Sequence, residues 1–356
     1  MPTKFTDEYD RVKANLALGS NSDTLSGDEQ SLINELILLM AQEGPNPTHA
    51  KSLDKLRNRC QRGFLRKLFG VATDREAEGI LSLSSSGATK NKKAAALKTL
   101  RHMYLLSKFG GHDTWALSLP KAYRDWATGE LENANDATLK TKLKDVNEYH
   151  SKRDLKNLQS AAQKALAWSK KAGGVCQDVS DGTIGRTLVK RWFADEDNQS
   201  EDKLRGLATR LADGFQKISR GCNSGRMILT DDPTVRGDGD WENSEAFAYR
   251  LGGQRLNVVY IEKAFFGTGN VLEGSKNWAR ILIHELSHSQ LGTNDVTVPG
   301  DTDPRYSWHP QGIAPRKDSF HTEYAMDNAD SWAFFAVDAA GMLTTSERST
   351  ALNPKT

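Results

Sequence analysis

An α+β fold, mainly helical, is what the sequence predicts, and three observations carry that reading. Long runs with apolar residues at helical spacing fill the first 150 or so residues and recur after residue 155. Three short β-branched or aromatic runs, 226–230, 246–251 and 256–261, come together late in the chain instead of alternating with helices. An apolar helix over 276–291 follows them and carries two histidines four residues apart.

The amino-terminal part is read as an all-helical domain over 1–150. Helical runs lie at 31–42 (SLINELILLMAQ), at 94–109 (AAALKTLRHMYLLSKF) and from Leu139 onward. Gly44, Pro45, Asn46 and Pro47 end the first run, the polar stretch 82–93 (SLSSSGATKNKK) reads as a loop, and Gly110 with Gly111 closes another element. Lys90, Lys92 and Lys93 are read as a solvated basic tip of that loop.

The second domain, 151–350, opens with a helix at 155–172 that is expected to stop at Gly173 and Gly174, followed by an amphipathic helix at 203–218. The three short strands come next, with RGDGDW (236–241) as a turn between two of them. Then follow the histidine-bearing helix, a loop of about thirty residues, and a last helix around 329–340.

Composition excludes several classes of function. At 356 residues the chain is long enough for one large or two ordinary domains. Hydrophobic residues are 37% and charged residues 26%, with a mean hydropathy of -0.61, so no membrane span is expected; the apolar run 32–40 is interrupted by Asn34 and Glu35. A formal charge of +2 gives no overall field for nucleic acid. Cys60, Cys176 and Cys222 lack the spacing of a zinc ribbon or a disulfide framework. The amino terminus, MPTKFTDEYDRVK, has no apolar core of the kind a Sec signal needs.

The chemistry is concentrated in 277–295, NWARILIHELSHSQLGTND. His284 and His288 project from one helix face a turn apart, so two imidazole nitrogens can reach one metal ion. Glu285, beside the first histidine, is placed to take a proton from a metal-bound water. Trp278, Ile281, Leu282, Ile283 and Leu286 bury the rest of the helix.

A third ligand is needed. The helix should stop at Gly292, and the turn would carry Asp295 back to the histidines. Glu323, before the last helix, ranks well below it; His309 and His321 are read as surface or hydrogen-bonding residues. A third histidine six residues after His288 is ruled out, because Leu291 and Asn294 stand where that pattern needs Gly and His.

With His284, Glu285, His288, Gly292, Thr293 and Asp295 in this order, the segment resembles the aspzincin metallopeptidases. That group includes deuterolysin, the peptidyl-Lys metalloendopeptidases and similar domains in bacterial proteins. The stretches 251–266 (LGGQRLNVVYIEKAFF) and 327–335 (DNADSWAFF) also look like segments of that family, so the likeness spans roughly 155–345. The resemblance implies a zincin-like domain with Zn2+ on His284, His288 and Asp295, Glu285 as general base, and a protein or peptide substrate. It also implies a tyrosine three residues after the aspartate as oxyanion donor. Val298 stands there, and Tyr306, with Tyr324 second, is expected to supply the hydroxyl.

Four aspartates, Asp301, Asp303, Asp327 and Asp330, are expected to form an acidic wall suited to lysine, while Asn328 to Asp330 either cap the last helix or orient the histidines. The functional expectation is a zinc endopeptidase. Through its family context and the absent Sec signal it is further read as a bacterial effector or toxin exported by a leaderless route, with a secretion-system or immunity-protein partner, and otherwise cytoplasmic. The alternatives are an inactive metallopeptidase-like binding or delivery protein and an amidase acting on peptidoglycan peptides.

Overall fold

The computed structural model describes residues 4–18, 31, 34–38, 87–107, 114–145, 147–180, 183–223, 227–251 and 256–352. The breakers at 44–47, Cys60 and the Gly110–Gly111 pair lie outside the described residues, as do most of the first apolar run, the early part of the 82–93 stretch and residues 252–255.

In chain order the elements are α1 (Lys4–Ala17), α2 (Gly87–Ser107), β1 (Thr114–Leu117), α3 (Ala127–Leu131), α4 (Asp136–Lys144), α5 (Lys152–Gln177), α6 (Thr183–Phe193) and α7 (Glu201–Cys222). They continue with β2 (Met227–Thr230), α8 (Gly239–Asn243), β3 (Ala246–Phe247), β4 (Asn257–Ile261), α9 (Gly274–Leu291), α10 (Thr322–Asp327), α11 (Ala329–Ala339) and α12 (Thr345–Leu352). The α+β, mainly helical reading holds: one small sheet, ordered β1-β2-β4-β3, lies among helices. The first three strands of that order are parallel, and β3 runs antiparallel along the β4 edge.

One strand departs from the all-helical reading of 1–150. Residues 114–117 (TWAL) pair with β2, Thr114 opposite Met227 and Leu117 opposite Thr230. The sheet therefore crosses residue 150, and so does the buried apolar core, which runs from Phe5 through Leu352. Four residues are too few to show strand periodicity, and only the pairing with β2 makes them a strand. The loop expected at 82–93 is also corrected where it is described, since 87–93 begin α2. There Lys90 pairs with Asp136 and Lys93 is buried, so these residues are no solvated tip.

Other boundaries moved for identifiable reasons. Helix α5 starts on a capping box, Ser151 accepting from the Asp154 N–H and Asp154 from the Ser151 N–H. It then passes through Gly173 and Gly174 to Gln177; a Cβ at Gly173 would meet Phe215 Cβ at an ordinary 3.6 Å and one at Gly174 would meet nothing within 4 Å, so glycine lowers the helix propensity there without ending the helix. The strand expected at 246–251 ends at Phe247, and the chain turns away so that the Leu251 N–H donates to His288 O at 3.1 Å. Within RGDGDW, Arg236 is buried and paired with Asp231, and α8 starts at Gly239. Cys176 and Cys222 are free and buried, and burial pushes both thiols up to about 12.

Helix α9 is the central element, packed against α5, α7, α11 and β4. On the far side of α7 the rings of Phe193, Phe215, Trp332 and Phe335 interlock at 5.1–5.8 Å. Gly214 admits Trp332 so closely that a Cβ would lie 2.3 Å from the indole.

Helix α1 is tied to residues more than 200 positions further along the chain, at β4 and just after β2. The Phe5 N–H donates to the Tyr260 hydroxyl at 2.8 Å, the Phe5 ring meets Trp126 edge-on at 5.5 Å, and Lys4 pairs with Asp232 at 2.9 Å. Phe5 is fully buried. Phe5→Ala should therefore cost about 3–5 kcal/mol of stability, read as a lower urea midpoint with an unchanged slope.

Candidate metal centre and catalytic cleft

Helix α9 ends as its sequence dictates. Gly292 adopts φ 77°, ψ 24°, a left-handed conformation that costs glycine little, and its N–H closes the helix on His288 O at 3.1 Å. The chain then reverses, and Asp295 returns to the histidines. Its Oδ1 lies 3.1 Å from His284 Nε2 and 3.6 Å from His288 Nε2, and the two Nε2 atoms are 3.1 Å apart.

The other ring nitrogens explain what this triangle is. His284 Nδ1 bonds Asp330 Oδ1 at 2.9 Å, and His288 Nδ1 bonds the Thr293 carbonyl at 2.8 Å. Both partners are acceptors, so each Nδ1 carries the proton and each Nε2 presents a lone pair. With both Nδ1 protons so engaged, two Nε2 atoms and a carboxylate oxygen converge on one point, an arrangement that could hold a shared cation. A tetrahedral ion with bonds of about 2.0–2.1 Å separates its ligand atoms by roughly 3.3 Å, so the observed triangle fits one.

Charge around the triangle agrees. Burial alone would raise the Asp295 pKa, but the two histidines outweigh it and hold the carboxyl far below the usual range. Burial disfavours a charged His284, yet Asp295, Asp330 and Glu285 raise its pKa well above the ordinary value. Asp330 is 1% exposed, and burying a lone carboxylate costs several kcal/mol. Three donors offset that cost: His284 Nδ1, the Ser307 N–H at 2.7 Å and Arg280 Nη1 at 3.4 Å. Against burial, they keep the Asp330 pKa low. Arg280 in turn pairs with Glu245 at 2.5 Å, and Glu245 accepts from Asn277 Nδ2 at 2.8 Å.

Glu285 is buried beside the triangle, with a ligand-type oxygen within 4.8 Å of those of the two histidines. Burial pushes its pKa up while His284 and His288 pull it back. It lines the cleft with Asp295, Tyr306 and Trp308; the cleft holds about 310 Å³, and all its lining falls between residues 243 and 334. No described residue of 4–150 enters it.

Tyr306 stands in this cleft, its ring 6.1 Å from that of His284 and its hydroxyl hydrogen-bonded to Asp295. Burial and the neighbouring carboxylates push the phenol above its usual range, so it keeps its proton. Tyr324 stacks on His321 at 4.0 Å and lines a separate depression with Arg210. Glu323 is exposed and bound to Arg210 at 2.9 and 3.0 Å, away from the histidines. His309 is buried and accepts from the Gln311 N–H at 3.2 Å.

The acidic wall does not form. Asp330 faces His284, Asp301 pairs with Arg305, Asp303 accepts from Thr302, and Asp327 holds Asn294. Nor does Asn328 cap α11 through its side chain. Instead it accepts from the Val296 N–H at 3.2 Å and donates to the Arg305 carbonyl at 3.1 Å. Together with the Asn294 N–H to Asp327 O bond at 2.7 Å, this fastens the chain on both sides of Asp295. Arg280, four residues before His284, is a site residue that helical spacing could have exposed; Glu245, Ser307 and Trp308 reach the cleft only through the fold.

Comparison with known proteins places this segment. Residues 179–337 match the aspzincin family model, described as lysine-specific metallo-endopeptidase. No curated protein and no solved structure matches the chain. The match supports an aspzincin-like metallopeptidase domain over that segment, somewhat less than half of the chain. The polar atoms around its triangle make a sharp expectation: Asp330→Asn should weaken metal affinity about 10–100-fold, measured by competition with a chromogenic chelator.

Proposed function

We propose that the protein is a zinc-dependent endopeptidase with His284, His288 and Asp295 as its metal ligands and Glu285 as its general base. The observation that carries the reading is the convergence of three acceptor atoms at 3.1–3.6 Å, beside a buried carboxylate, in a cleft open to a peptide. Bound zinc would acidify a water and polarise the scissile carbonyl. Glu285, its pKa raised by burial, is placed to accept the proton of the attacking water and deliver it to the leaving amine. Asp330 and the Thr293 carbonyl hold the two imidazoles in the tautomer that ligation needs.

Tyr306 is the proposed oxyanion donor. Its proton is retained, and the residues on either side of it are fixed, Arg305 O by Asn328 and Ser307 N by Asp330. It would thus replace, from a longer loop, the hydroxyl that Val298 cannot offer. Val298 is the one observation that favours the inactive binding-protein reading, and a chelator-sensitive protease assay separates the two. Action as an exported effector rests on the resemblance to bacterial domains of this type and is tested by assaying culture medium for the protein.

Glu285→Gln should keep one zinc per chain and lower hydrolysis about 10²–10⁴-fold, whereas Asp295→Ala should lose the metal. Tyr306→Phe should keep zinc and reduce kcat by about 10²–10³-fold. Zinc analysis beside peptidase assays checks all three, and a fully active Glu285→Gln protein would overturn the mechanism.

A further inference from the structure

We infer that Arg250 and Leu251 are positioning residues for the metal centre: a clamp on the carboxyl end of α9 that sets the backbone of His288 and of the reversal leading to Asp295. The inference rests on the metal-ligand reading above and extends it to residues outside the cleft.

The need for such a clamp comes from His288. Residues 327–330 hold His284 and the chain around Asp295, but among the described residues none of them bonds His288. Its Nδ1 depends on the Thr293 carbonyl, which lies in the reversal just past the end of α9. That reversal requires a support of its own.

Leu251 supplies the first part. Among the described residues it is the only one besides glycines with a positive φ, at 47°. A leucine gains nothing from that conformation, because its Cβ crowds the backbone there. Burial does not offset the strain, since Leu251 is 63% exposed. What the conformation does is bring the Leu251 N–H to His288 O at 3.1 Å, the carbonyl that also accepts the Gly292 N–H. The leucine side chain lies over Gly292, where a Cβ would stand 3.1 Å from Leu251 Cδ2. Strained backbone of this kind persists only where surrounding contacts hold it, and it concentrates beside functional sites.

Arg250 supplies the second part. Its Nε donates to the Gly292 carbonyl at 2.6 Å, and no carboxylate pairs with the guanidinium among the described residues. Carbonyls at the carboxyl end of a helix lack partners within it and sit at the negative end of its dipole, so a cation suits them. The Gly292 carbonyl belongs to the peptide that leads into Thr293. Fixing it fixes the start of the path to Thr293 O and to Asp295.

The clamp is anchored in turn. The Tyr249 ring meets Phe247 and Tyr260 edge-on at 5.9 and 6.0 Å, which ties the chain just before Arg250 to β3 and β4. From the last turn of α9, Gln290 donates to Asn257 at the start of β4, at 2.9 Å. The sheet therefore grips the end of the helix that carries both histidines.

Two measurements on the full chain test the clamp. In zinc-free protein, amide hydrogen exchange over 288–296 should be about 10-fold faster in Arg250→Ala than in wild type, with exchange elsewhere unchanged. Zinc affinity, read by competition with a chromogenic chelator, should fall about 10-fold in the same variant, and Arg250→Lys should recover most of both. Arg186→Ala, which removes an exposed arginine paired with Glu201, is the control and should alter neither. Leu251→Gly keeps the N–H and takes a positive φ freely, so it should match wild type, whereas the β-branched Leu251→Val should weaken zinc binding. Unchanged exchange in Arg250→Ala, a change that Arg186→Ala shares, or equal behaviour of Leu251→Gly and Leu251→Val overturns the clamp. One zinc per wild-type chain with unaltered affinity in Arg250→Ala sinks the clamp and leaves the metal centre standing. Faster local exchange in Arg250→Ala with no zinc bound by wild type sinks the metal centre and leaves the clamp on α9 standing.

Discussion

Three hydrogen-bond acceptors, His284 Nε2, His288 Nε2 and Asp295 Oδ1, are held within 3.1–3.6 Å of one another. Much of the surrounding structure can be understood as holding them there. The histidines are fixed from behind through their Nδ1 protons, one by a buried carboxylate and one by a backbone carbonyl. Neither ring can turn without breaking a bond inside the protein, where an unpaired polar group costs about 1–3 kcal/mol. The aspartate is fixed differently, through the backbone on both sides of it.

Apart from the Thr293 carbonyl on His288, these restraints originate in one short segment, 327–330. Asp327 accepts the Asn294 N–H, Asn328 accepts the Val296 N–H and donates to Arg305 O, and Asp330 accepts from His284 and Ser307. The segment opens α11, whose aromatic face is locked against α6 and α7 through Trp332 and Phe335. The proposed metal ligands and Tyr306 thus share one support. This accounts for how a tyrosine eleven residues after Asp295 can stand in the cleft: what matters is where Asn328 and Asp330 grip the loop, not its length.

The parts of the site legible in the sequence are those set by local geometry. His284 and His288 meet because helical spacing brings them to one face, and Asp295 returns because Gly292 can take the left-handed turn that stops the helix. The restraining partners are not local. Nothing in the sequence around Glu245 announces that it meets Arg280, and the aspartates that looked like an acidic wall proved to be engaged in holding loops. The fold shows the same division. The long helices were readable from periodicity, whereas β1 is four residues long and owes its extended form to the pairing with β2. Gly173 and Gly174, which read as a helix stop, stay helical inside the long α5, where glycine costs propensity but does not forbid the helix.

The amino-terminal residues gain a meaning that composition could not give them. Two described pieces enter the core: β1 extends the sheet beside β2, and α1 sets Phe5 and Lys4 against Tyr260 and Asp232. Tyr260 stacks on Phe247 at 4.6 Å, and Phe247 adjoins Ala246 on β3, where the sheet reaches the cleft. The first helix is thereby connected to the substrate edge through two aromatic rings. Cutting α1 away would therefore disturb the sheet that forms one side of the cleft.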